Sequence, residues 1–415
     1  MYIHRLVSII AFLSLTLAPI CSCSDATGKK VDNAKSLMTE QRENRVQIVE
    51  ARIINTKRKN SEWTVVKHIF PNGERPIAIS VLNNIIVLVA THDGVYTSRD
   101  SANTWNKMSI SLSEYEEIKA FHFADEYKGW VITQTSEFSE KYSQNDGMRI
   151  YMTQTFGRSW ELVQRSDSVS FTDAAFSGEN GWVVGRNFIG IKPQRFEPLV
   201  LATSGSGWLD LSEEFASFSK NATEKADRIP MLPTKILLHG NCISLLSDNK
   251  ELVDTCDFGK TWKYLGDFTI SNSRLAVKDF YVDEKGFWFL ESVGGAGGSS
   301  TNLKMVLPAG NLGNARNIVL SDFYGDRLFR FSDGGIMISG RRSVVEKAGN
   351  SGLIEEVEGG ELLLSNDNGE SWEKIVETPR GHKLKSIIQV GDDFLWALDD
   401  LSIIYEITRT KRRGD

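Results

Sequence analysis

A short pattern that ends in tryptophan occurs four times along this chain of 415 residues and constrains its fold more than any other feature. The pattern is Ser/Thr-x-Asp-x-Gly-x-Ser/Thr-Trp, and we call it the box. An aspartate carboxylate can accept hydrogen bonds from the amides of a tight turn, and glycine adopts the positive φ that such turns require. The box therefore predicts a hairpin turn, with the tryptophan packed beneath it between neighbouring sheets.

The four boxes are not identical. Ala102 replaces the glycine of the first box, and Thr155 replaces the aspartate of the second. A shortened relative of the box ends at Trp208, between the second and third copies. We assign a structural role, and not a catalytic one, to the box residues Asp100, Trp105, Gly157, Trp160, Asp257, Gly259, Trp262, Asp367, Gly369 and Trp372.

The boxes recur at a nearly constant interval. Including Trp208, their tryptophans are 55, 48 and 54 residues apart up to Trp262, and a further 110 residues lead to Trp372. Because 110 is twice 55, we expect one repeat without a box near residue 317. A period of about 50 residues is typical of a β-propeller blade.

Seven short apolar runs mark a second recurring element, which precedes the box in each period. A strand that is covered on both faces by adjacent sheets reads as such a continuous apolar run. The runs therefore predict an all-β, seven-bladed β-propeller of four-stranded antiparallel blades over residues 62–408. They occupy residues 85–90, 129–133, 181–185, 242–246, 286–290, 335–339 and 394–398.

The two ends of the repeat region complement each other. The last period offers three strands, and a surplus strand at residues 63–69 precedes the first blade. We predict that this N-terminal strand joins the last blade and closes the ring, which removes its open sheet edges. Residues 409–415 are expected to form a solvated basic tail. An elongated β-solenoid is the alternative, although its coils would be shorter and would need no closing strand.

The N-terminus has the features of an export signal. A cation is followed by an apolar run at residues 6–20, which is too short to span a bilayer comfortably. The run leads into a segment that resembles a bacterial lipobox with Cys23 as the lipidated residue, whereas Cys21 fits less well. This resemblance implies a signal peptide at 1–22, a polar tether at 23–61 and a periplasm-facing lipoprotein, sorted to the outer membrane because Ser24 follows the cysteine. A plain secretory signal is the alternative.

The remaining cysteines, Cys242 and Cys256, lie at equal distances from a turn centred near residue 249. Such residues face each other in an antiparallel hairpin, so we expect a disulfide in an oxidising compartment. Two free thiols are the alternative.

Composition excludes some classes of function. The 48 basic and 54 acidic residues give a net charge of −6, so no overall positive field favours nucleic acid. The six histidines are dispersed and match no metal-ligand spacing, so we predict neither a metal nor a cofactor. A Ser-His-Asp arrangement stays open on spacing alone, although no nucleophile-elbow motif supports it.

Four longer segments follow the second strands and should lie on one rim of the ring, where loops usually carry function. We expect a basic, partner-binding cluster there, because Arg186 and Arg341 each follow the glycine that ends a second strand. Lys192, Arg195 and Arg342 would add to this cluster, and solvated loops without a ligand are the alternative. The segments cover residues 136–147, 186–198, 292–301 and 341–360.

The box resembles the Asp-box, or BNR, repeat. Together with the run Gly-Trp-Val-Val-Gly at residues 181–185, it looks most like the photosystem II assembly-factor-like exported propellers. That resemblance covers residues 62–408 and implies a non-enzymatic scaffold. We expect a monomer that binds an exported or membrane protein through the rim loops. Sortilin-type propellers share the box but have more blades.

Two other functions stay open. Sialidases also carry Asp-boxes, and the Arg-Ile-Pro at residues 228–230 resembles a motif of that family. In sialidases this motif precedes the first box, whereas here it lies between the third and fourth blades, so a glycan-cleaving hydrolase is an alternative only. A periplasmic inhibitor or immunity-type binder would use the same rim as a scaffold.

Overall fold

The protein is described by a computed structural model that covers residues 63–71, 75–139, 143–191, 194–222, 231–267, 276–283, 286–293, 300–306, 316–347, 353–391 and 393–410. The predicted leader and tether, the lipidation candidate Cys23, the basic-cluster candidate Lys192 and the 228–230 motif all lie outside the described residues. No helix among the described residues is long and apolar enough to cross a membrane.

The described residues form seven four-stranded antiparallel sheets, which confirms the predicted propeller. Blade 1 consists of β2 (Pro76–Leu82), β3 (Ile86–Thr91), β4 (Val95–Ser98) and β5 (Asn106–Lys107). Blade 2 consists of β6 (Glu116–Phe123), β7 (Gly129–Ser139), β8 (Ser143–Thr153) and β9 (Glu161–Ser166). Blade 3 consists of β10 (Val169–Ser177), β11 (Asn180–Ile191), β12 (Gln194–Ser204) and β13 (Trp208–Asp210).

The other four blades repeat this order. Blade 4 consists of β14 (Pro233–His239), β15 (Cys242–Ser247), β16 (Glu251–Thr255) and β17 (Lys263–Asp267). Blade 5 consists of β18 (Ala276–Asp283), β19 (Gly286–Val293), β20 (Ser300–Val306) and β21 (Arg316–Ser321). Blade 6 consists of β22 (Phe323–Arg330), β23 (Ile336–Lys347), β24 (Leu353–Ser365) and β25 (Glu373–Glu377). Blade 7 consists of β26 (Leu384–Gln389), β27 (Phe394–Asp399), β28 (Ile403–Arg409) and β1 (Trp63–Ile69).

The N-terminal strand closes the ring as predicted. β1 pairs antiparallel with β28, from Trp63 opposite Arg409 to Ile69 opposite Ile403. Blade 7 therefore takes its outer strand from the start of the propeller and its other three strands from the end. This shared blade covers the sheet edge that an open ring would expose.

The first strands of most neighbouring blades contact each other, so these strands form the inner wall of the ring. Each inner strand carries one β-bulge at the same position relative to its second strand. In three blades, the residue after the bulge accepts a hydrogen bond from a backbone amide of the next blade. Asp173 accepts from Ile236 at 3.2 Å, Asp279 from Leu328 at 2.9 Å, and the Ser386 hydroxyl from Ile79 at 3.3 Å. The bulged residues are Ile77, Lys119, Thr172, Thr234, Lys278, Asp326 and Lys385.

The hydrophobic core is divided among the interfaces between blades. The second strands supply its largest fully buried side chains, Trp130, Trp288 and Trp396. The box tryptophans pack edge-on against aromatic rings: Trp105 lies 5.0 Å from Phe70, measured between ring centroids. Trp262 stands in the same relation to Trp182 of blade 3 at 6.3 Å. The box thus ties the turns of blades 1 and 4 to aromatic interfaces between sheets.

The box turns have the geometry that the sequence predicts. In blade 6, the Asp367 carboxylate accepts from the Ser371 amide at 2.9 Å and from the Ser365 hydroxyl at 2.7 Å, while Gly369 has a φ of 89°. The hydrogen bonds from Ser371 hold the pKa of Asp367 below its usual range. In blade 2, the hydroxyl of Thr155 accepts from the Ser159 amide at 3.0 Å. A threonine hydroxyl therefore closes the same turn where the aspartate is missing.

Replacing the box carboxylate tests this equivalence. We expect Asp367→Ala to lower the melting temperature by about 2–3 °C, because the Ser371 amide loses its acceptor. Asp367→Thr should lower it less, since Thr155 shows that a hydroxyl suffices in blade 2. Thermal melts followed by circular dichroism would measure both variants. Equal losses for alanine and threonine would contradict the equivalence.

Two features depart from the sequence-based prediction. The segments after the second strands are not plain loops, because the strands continue as ladders as far as Ser139 opposite Ser143 and Lys347 opposite Leu353. The ladder satisfies backbone groups that a loop would leave to solvent. A helix, α1 (Ser212–Asn221), also interrupts the all-β pattern after β13. Its residue Phe215 packs edge-on against Trp262 at 5.0 Å, so the helix covers the interface between blades 3 and 4.

Candidate partner-binding face

The two faces of the ring differ in what they carry. The Asp-box face holds the turns between third and fourth strands, together with those between first and second strands. The opposite side, which we call the hairpin face, holds the turns between second and third strands and the connections between blades. Long hairpins extend this face at blades 2, 3 and 6, namely β7–β8, β11–β12 and β23–β24.

The basic residues of blade 3 lie on the hairpin face. Arg186 lies near the end of the ladder between β10 and β11, opposite Ser170, and its guanidinium is 3.7 Å from the carboxylate of Asp248 in blade 4. Arg195 is exposed on β12, opposite Gly190 of the same hairpin. Arg186 is therefore already engaged by an acid, whereas Arg195 faces solvent.

The two basic residues of blade 6 are adjacent but have different surroundings. Arg342 makes an ion pair with Glu361, with 3.2 Å between nitrogen and oxygen, and Lys374 reaches the same carboxylate at 3.3 Å. Glu361 is only 1% exposed, so it needs these cations. Arg341 instead lies over the ring of Tyr324, with its guanidinium carbon 5.2 Å from the ring centroid. Blades 3 and 6 are not neighbours in the ring, so the predicted arginines occupy two separate places.

Arg341 belongs to a larger group that the sequence analysis missed. Lys278 of blade 5 lies over the same Tyr324 ring, with its Nζ 4.9 Å from the centroid. Lys383 precedes the inner strand of blade 7, and Asp326 and Arg327 lie on the inner strand of blade 6. We call these six residues, Lys278, Tyr324, Asp326, Arg327, Arg341 and Lys383, the central basic cluster.

The electrostatics of Asp326 show that the cations of the cluster act on one shared carboxyl group. Burial raises the pKa of Asp326 above its usual range, while the charges of Arg341, Lys383, Lys278 and Arg327 act in the opposite direction. The charges of four cations thus act on the Asp326 carboxylate at the start of the inner strands of blades 5, 6 and 7, and Arg327 acts on the buried Asp279 as well. This excess of positive charge, beside an aromatic ring, can bind a carboxylate-bearing ligand.

The sequence contained a signal for this cluster, although no motif marks it. Lys278 and Asp326 are bulged residues at equivalent positions of their blades. When the seven inner strands are aligned by their pairing with the second strands, these two residues fall at the same position. Lys383 donates its amide to Asp400 at 3.1 Å, a contact that no repeat pattern predicts.

Two further groupings resemble catalytic sets but lack their geometry. Glu116, Arg149 and Tyr151 gather in blade 2, where burial and the hydrogen bond to Glu116 raise the pKa of Tyr151. A nucleophilic tyrosine would need the opposite shift. In blade 4, His239 Nε2 lies 2.8 Å from Ser244 Oγ and 3.2 Å from Asp254 Oδ1. Both partners share one ring nitrogen, so this is not the relay of a catalytic triad.

The structure joins Cys242 and Cys256 by a disulfide between β15 and β16. Cys256 is the second residue of the box in blade 4, so the bond lies toward the Asp-box face. It is therefore at the opposite side of the ring from the central basic cluster.

Comparisons with known proteins agree with this fold. Residues 52–183, less than half of the chain, match the family model described as sortilin, neurotensin receptor 3. No curated protein matches the chain.

Solved structures resemble almost the whole propeller. YCF48 from Cyanidioschyzon merolae is 14% identical with a TM-score of 0.55, over 84% of this chain and 99% of that one. YCF48 bound to a D1 peptide is 14% identical with a TM-score of 0.54, over 84% and 97% of the two chains. A catalytically inactive virginiamycin B lyase from Staphylococcus aureus with quinupristin is 11% identical with a TM-score of 0.54, over 83% and 99%.

At these identities the structural likenesses show the fold alone, and they include both a peptide-bound protein and a lyase. The chain is therefore a seven-bladed propeller that is similar to the sortilin family over its first blades and to YCF48 in overall fold.

Proposed function

We propose that this propeller is a non-enzymatic interaction protein that binds an acidic segment of an exported or membrane protein on its hairpin face. The central basic cluster carries the proposal, because the charges of four cations act on Asp326 and outnumber it together with Asp279, on which Arg327 also acts. A carboxylate of a partner would add the negative charge that the cluster lacks. Tyr324, between Lys278 and Arg341, offers an aromatic surface to the same segment.

The elongated hairpins support a protein ligand over a small molecule. The strands β11 and β12 extend to Ile191 opposite Gln194, and β23 and β24 extend to Lys347 opposite Leu353. They add surface to the hairpin face, and the exposed Arg195 contributes a further cation at the rim. YCF48, which is similar in fold, has been solved with a D1 peptide, and this too favours a peptide segment as the ligand.

The proposed place of action follows from the N-terminal sequence. A signal peptide at 1–22 and lipidation at Cys23 would attach the chain to a membrane, with the polar residues 24–61 as the tether. A protein held in this way meets exported and membrane proteins. Radiolabelled palmitate incorporation that is lost in Cys23→Ser would support the anchor, and unchanged incorporation would contradict it.

Charge reversal tests the site. We expect Lys278→Glu combined with Arg341→Glu to reduce recovery of the crosslinked partner from the source cells at least tenfold, because the cluster loses two cations and gains two anions. Quantitative mass spectrometry would compare this variant with the unchanged protein. Arg158→Glu is the matched control, since this arginine is exposed in the box of blade 2 on the opposite face.

Two results would contradict the assignment. Equal recovery of the partner by the double variant and by Arg158→Glu would show that the central basic cluster is not the site. A fluorogenic sugar that the purified protein cleaves, with the cleavage lost in Arg228→Ala, would favour a glycan-cleaving hydrolase instead. The identity of the recovered partner separates a scaffold from an inhibitor, because an inhibitor would reduce the activity of an enzyme that it binds.

A further inference from the structure

Blade 4 gathers three metal-ligating groups on one face of its sheet. Ligand atoms of Cys242, Asp254 and Cys256 all lie within 4.8 Å of one another. The ladder explains why: Ile243 pairs with Thr255, so Cys242 lies beside Cys256 on the neighbouring strand. Asp254 is two residues before Cys256 on β16 and therefore shares its side of the sheet.

The neighbouring side chains hold the Asp254 carboxylate in one orientation. Its Oδ1 accepts from the Ser244 hydroxyl at 3.0 Å and lies 3.2 Å from His239 Nε2. Ser244 is fully buried, whereas the Asp254 side chain is 16% exposed. The other carboxylate oxygen, Oδ2, lies on the side of the sulfurs, 3.7 Å from Cys256 Sγ. A carboxylate fixed by a histidine and a hydroxyl is the kind of supported ligand that metal sites use.

We propose that this group binds one Zn²⁺ ion when the Cys242–Cys256 disulfide is reduced. The two thiolate sulfurs and Asp254 Oδ2 supply three ligands, and a water molecule completes a tetrahedron. His239 and Ser244 position the carboxylate and do not bind the metal. Two thiolates with one carboxylate suit zinc, whereas magnesium and calcium prefer sites made of oxygen alone.

A dithiol reductant supplies the electrons and protons that are needed to exchange the disulfide for zinc. The dithiol transfers two electrons and two protons to the Cys242–Cys256 bond and leaves as its own disulfide, so that two protein thiols form. Zn²⁺ then displaces both thiol protons, which are released to solvent, and forms two Zn–S bonds. Strands β15 and β16 are consequently cross-linked in both states, by zinc under reducing conditions and by the disulfide under oxidising ones.

Zinc titration of the full chain in both redox states tests the site. The protein would be reduced with a dithiol, desalted without oxygen and titrated with ZnCl₂ against a chromophoric chelator. We expect one equivalent of tightly bound zinc in the reduced protein and none in the oxidised protein. Cobalt in place of zinc should give thiolate-to-metal charge-transfer absorption, which an adventitious carboxylate site would not produce.

Variants separate the assigned roles. Asp254→Asn should weaken zinc binding more than tenfold, and His239→Gln should weaken it about tenfold while the cobalt charge-transfer band remains. Asp248→Asn, at the other end of the same blade, is the matched control and should leave the affinity unchanged. Affinity that does not differ between Asp254→Asn and Asp248→Asn overturns the proposal, as does the absence of stoichiometric binding in a reduced protein that keeps its native tryptophan fluorescence.

The proposal also makes a prediction for the case in which reduction unfolds the protein. If the dithiol abolishes the native tryptophan fluorescence, one equivalent of Zn²⁺ should restore it, because metal binding then contributes to folding. Fluorescence that stays non-native after zinc is added would overturn the proposal.

Discussion

A chain that begins at Phe70, and so lacks β1 of the propeller, is expected to lose the stable ring. The deleted strand pairs with β28 along its whole length, and its Trp63 is 6% exposed, 5.8 Å from Phe331 of blade 6. Truncation of a buried tryptophan alone costs about 3–5 kcal/mol. That is a large part of the roughly 5–15 kcal/mol that stabilises a typical folded domain. Circular dichroism melts and light scattering after gel filtration would measure the effect.

A matched chain that begins at Glu62 keeps β1 and should behave like the full protein. Trp63→Ala is a graded version, for which we expect a folded ring with a lower melting temperature. The chain from Phe70 should form oligomers, because β28 would present its unpaired edge to other molecules. A monomer with an unchanged melting temperature would show that β1 does not close the ring.

Acid should destabilise the protein through one histidine. His122 stacks on Phe176, with 4.9 Å between ring centroids, and its Nε2 lies 3.0 Å from the carbonyl oxygen of Gly178. Burial lowers the pKa of His122 to about 4. The unfolded chain, with an ordinary histidine pKa near 6.5, therefore binds more protons than the folded chain between these two values. Stability from this group is complete above pH 6.5 and is lost as the pH falls toward 4.

The expected size of the effect follows from the shift. The pKa difference amounts to as much as about 3 kcal/mol, of which about 2 kcal/mol would be lost between pH 7 and pH 4.5. Urea unfolding at both pH values would measure it. His122→Gln introduces an amide that can donate to Gly178 but does not titrate. The free energy of unfolding that this variant loses between pH 7 and pH 4.5 should therefore be smaller by the same amount. Identical pH dependence in the two proteins would rule His122 out as the cause.

The blade count could be predicted from the sequence because each blade needs the same two buried features. The second strand is covered on both faces, so it reads as an apolar run, as at Gly129–Ser139. The box tryptophans must fill the space between sheets, which fixes their spacing. The long hairpins could not be predicted in the same way, since the ladder that extends β7 and β8 is made by backbone groups and requires no particular side chains.

The proposed binding site was harder to predict because it depends on residues that are distant from one another in the sequence. Arg186 and Arg342 carry the positive charge that a basic cluster needs. Arg186 is already paired with Asp248, however, and Arg342 with Glu361. Lys278 and Lys383 come from different blades and meet near Asp326 only because all three lie at the start of inner strands. Sequence spacing identifies which residues repeat, but it does not show which charges are already neutralised.

The closing strand also determines on which face of the ring the chain enters the propeller. β1 begins beside Arg409, whose amide donates to Asp393 in a turn of the Asp-box face, and it runs toward the hairpin face. The polypeptide therefore enters the propeller from the Asp-box side. The central basic cluster lies on the opposite side of the ring from this entry point, so a segment bound there would not have to pass the chain at Trp63.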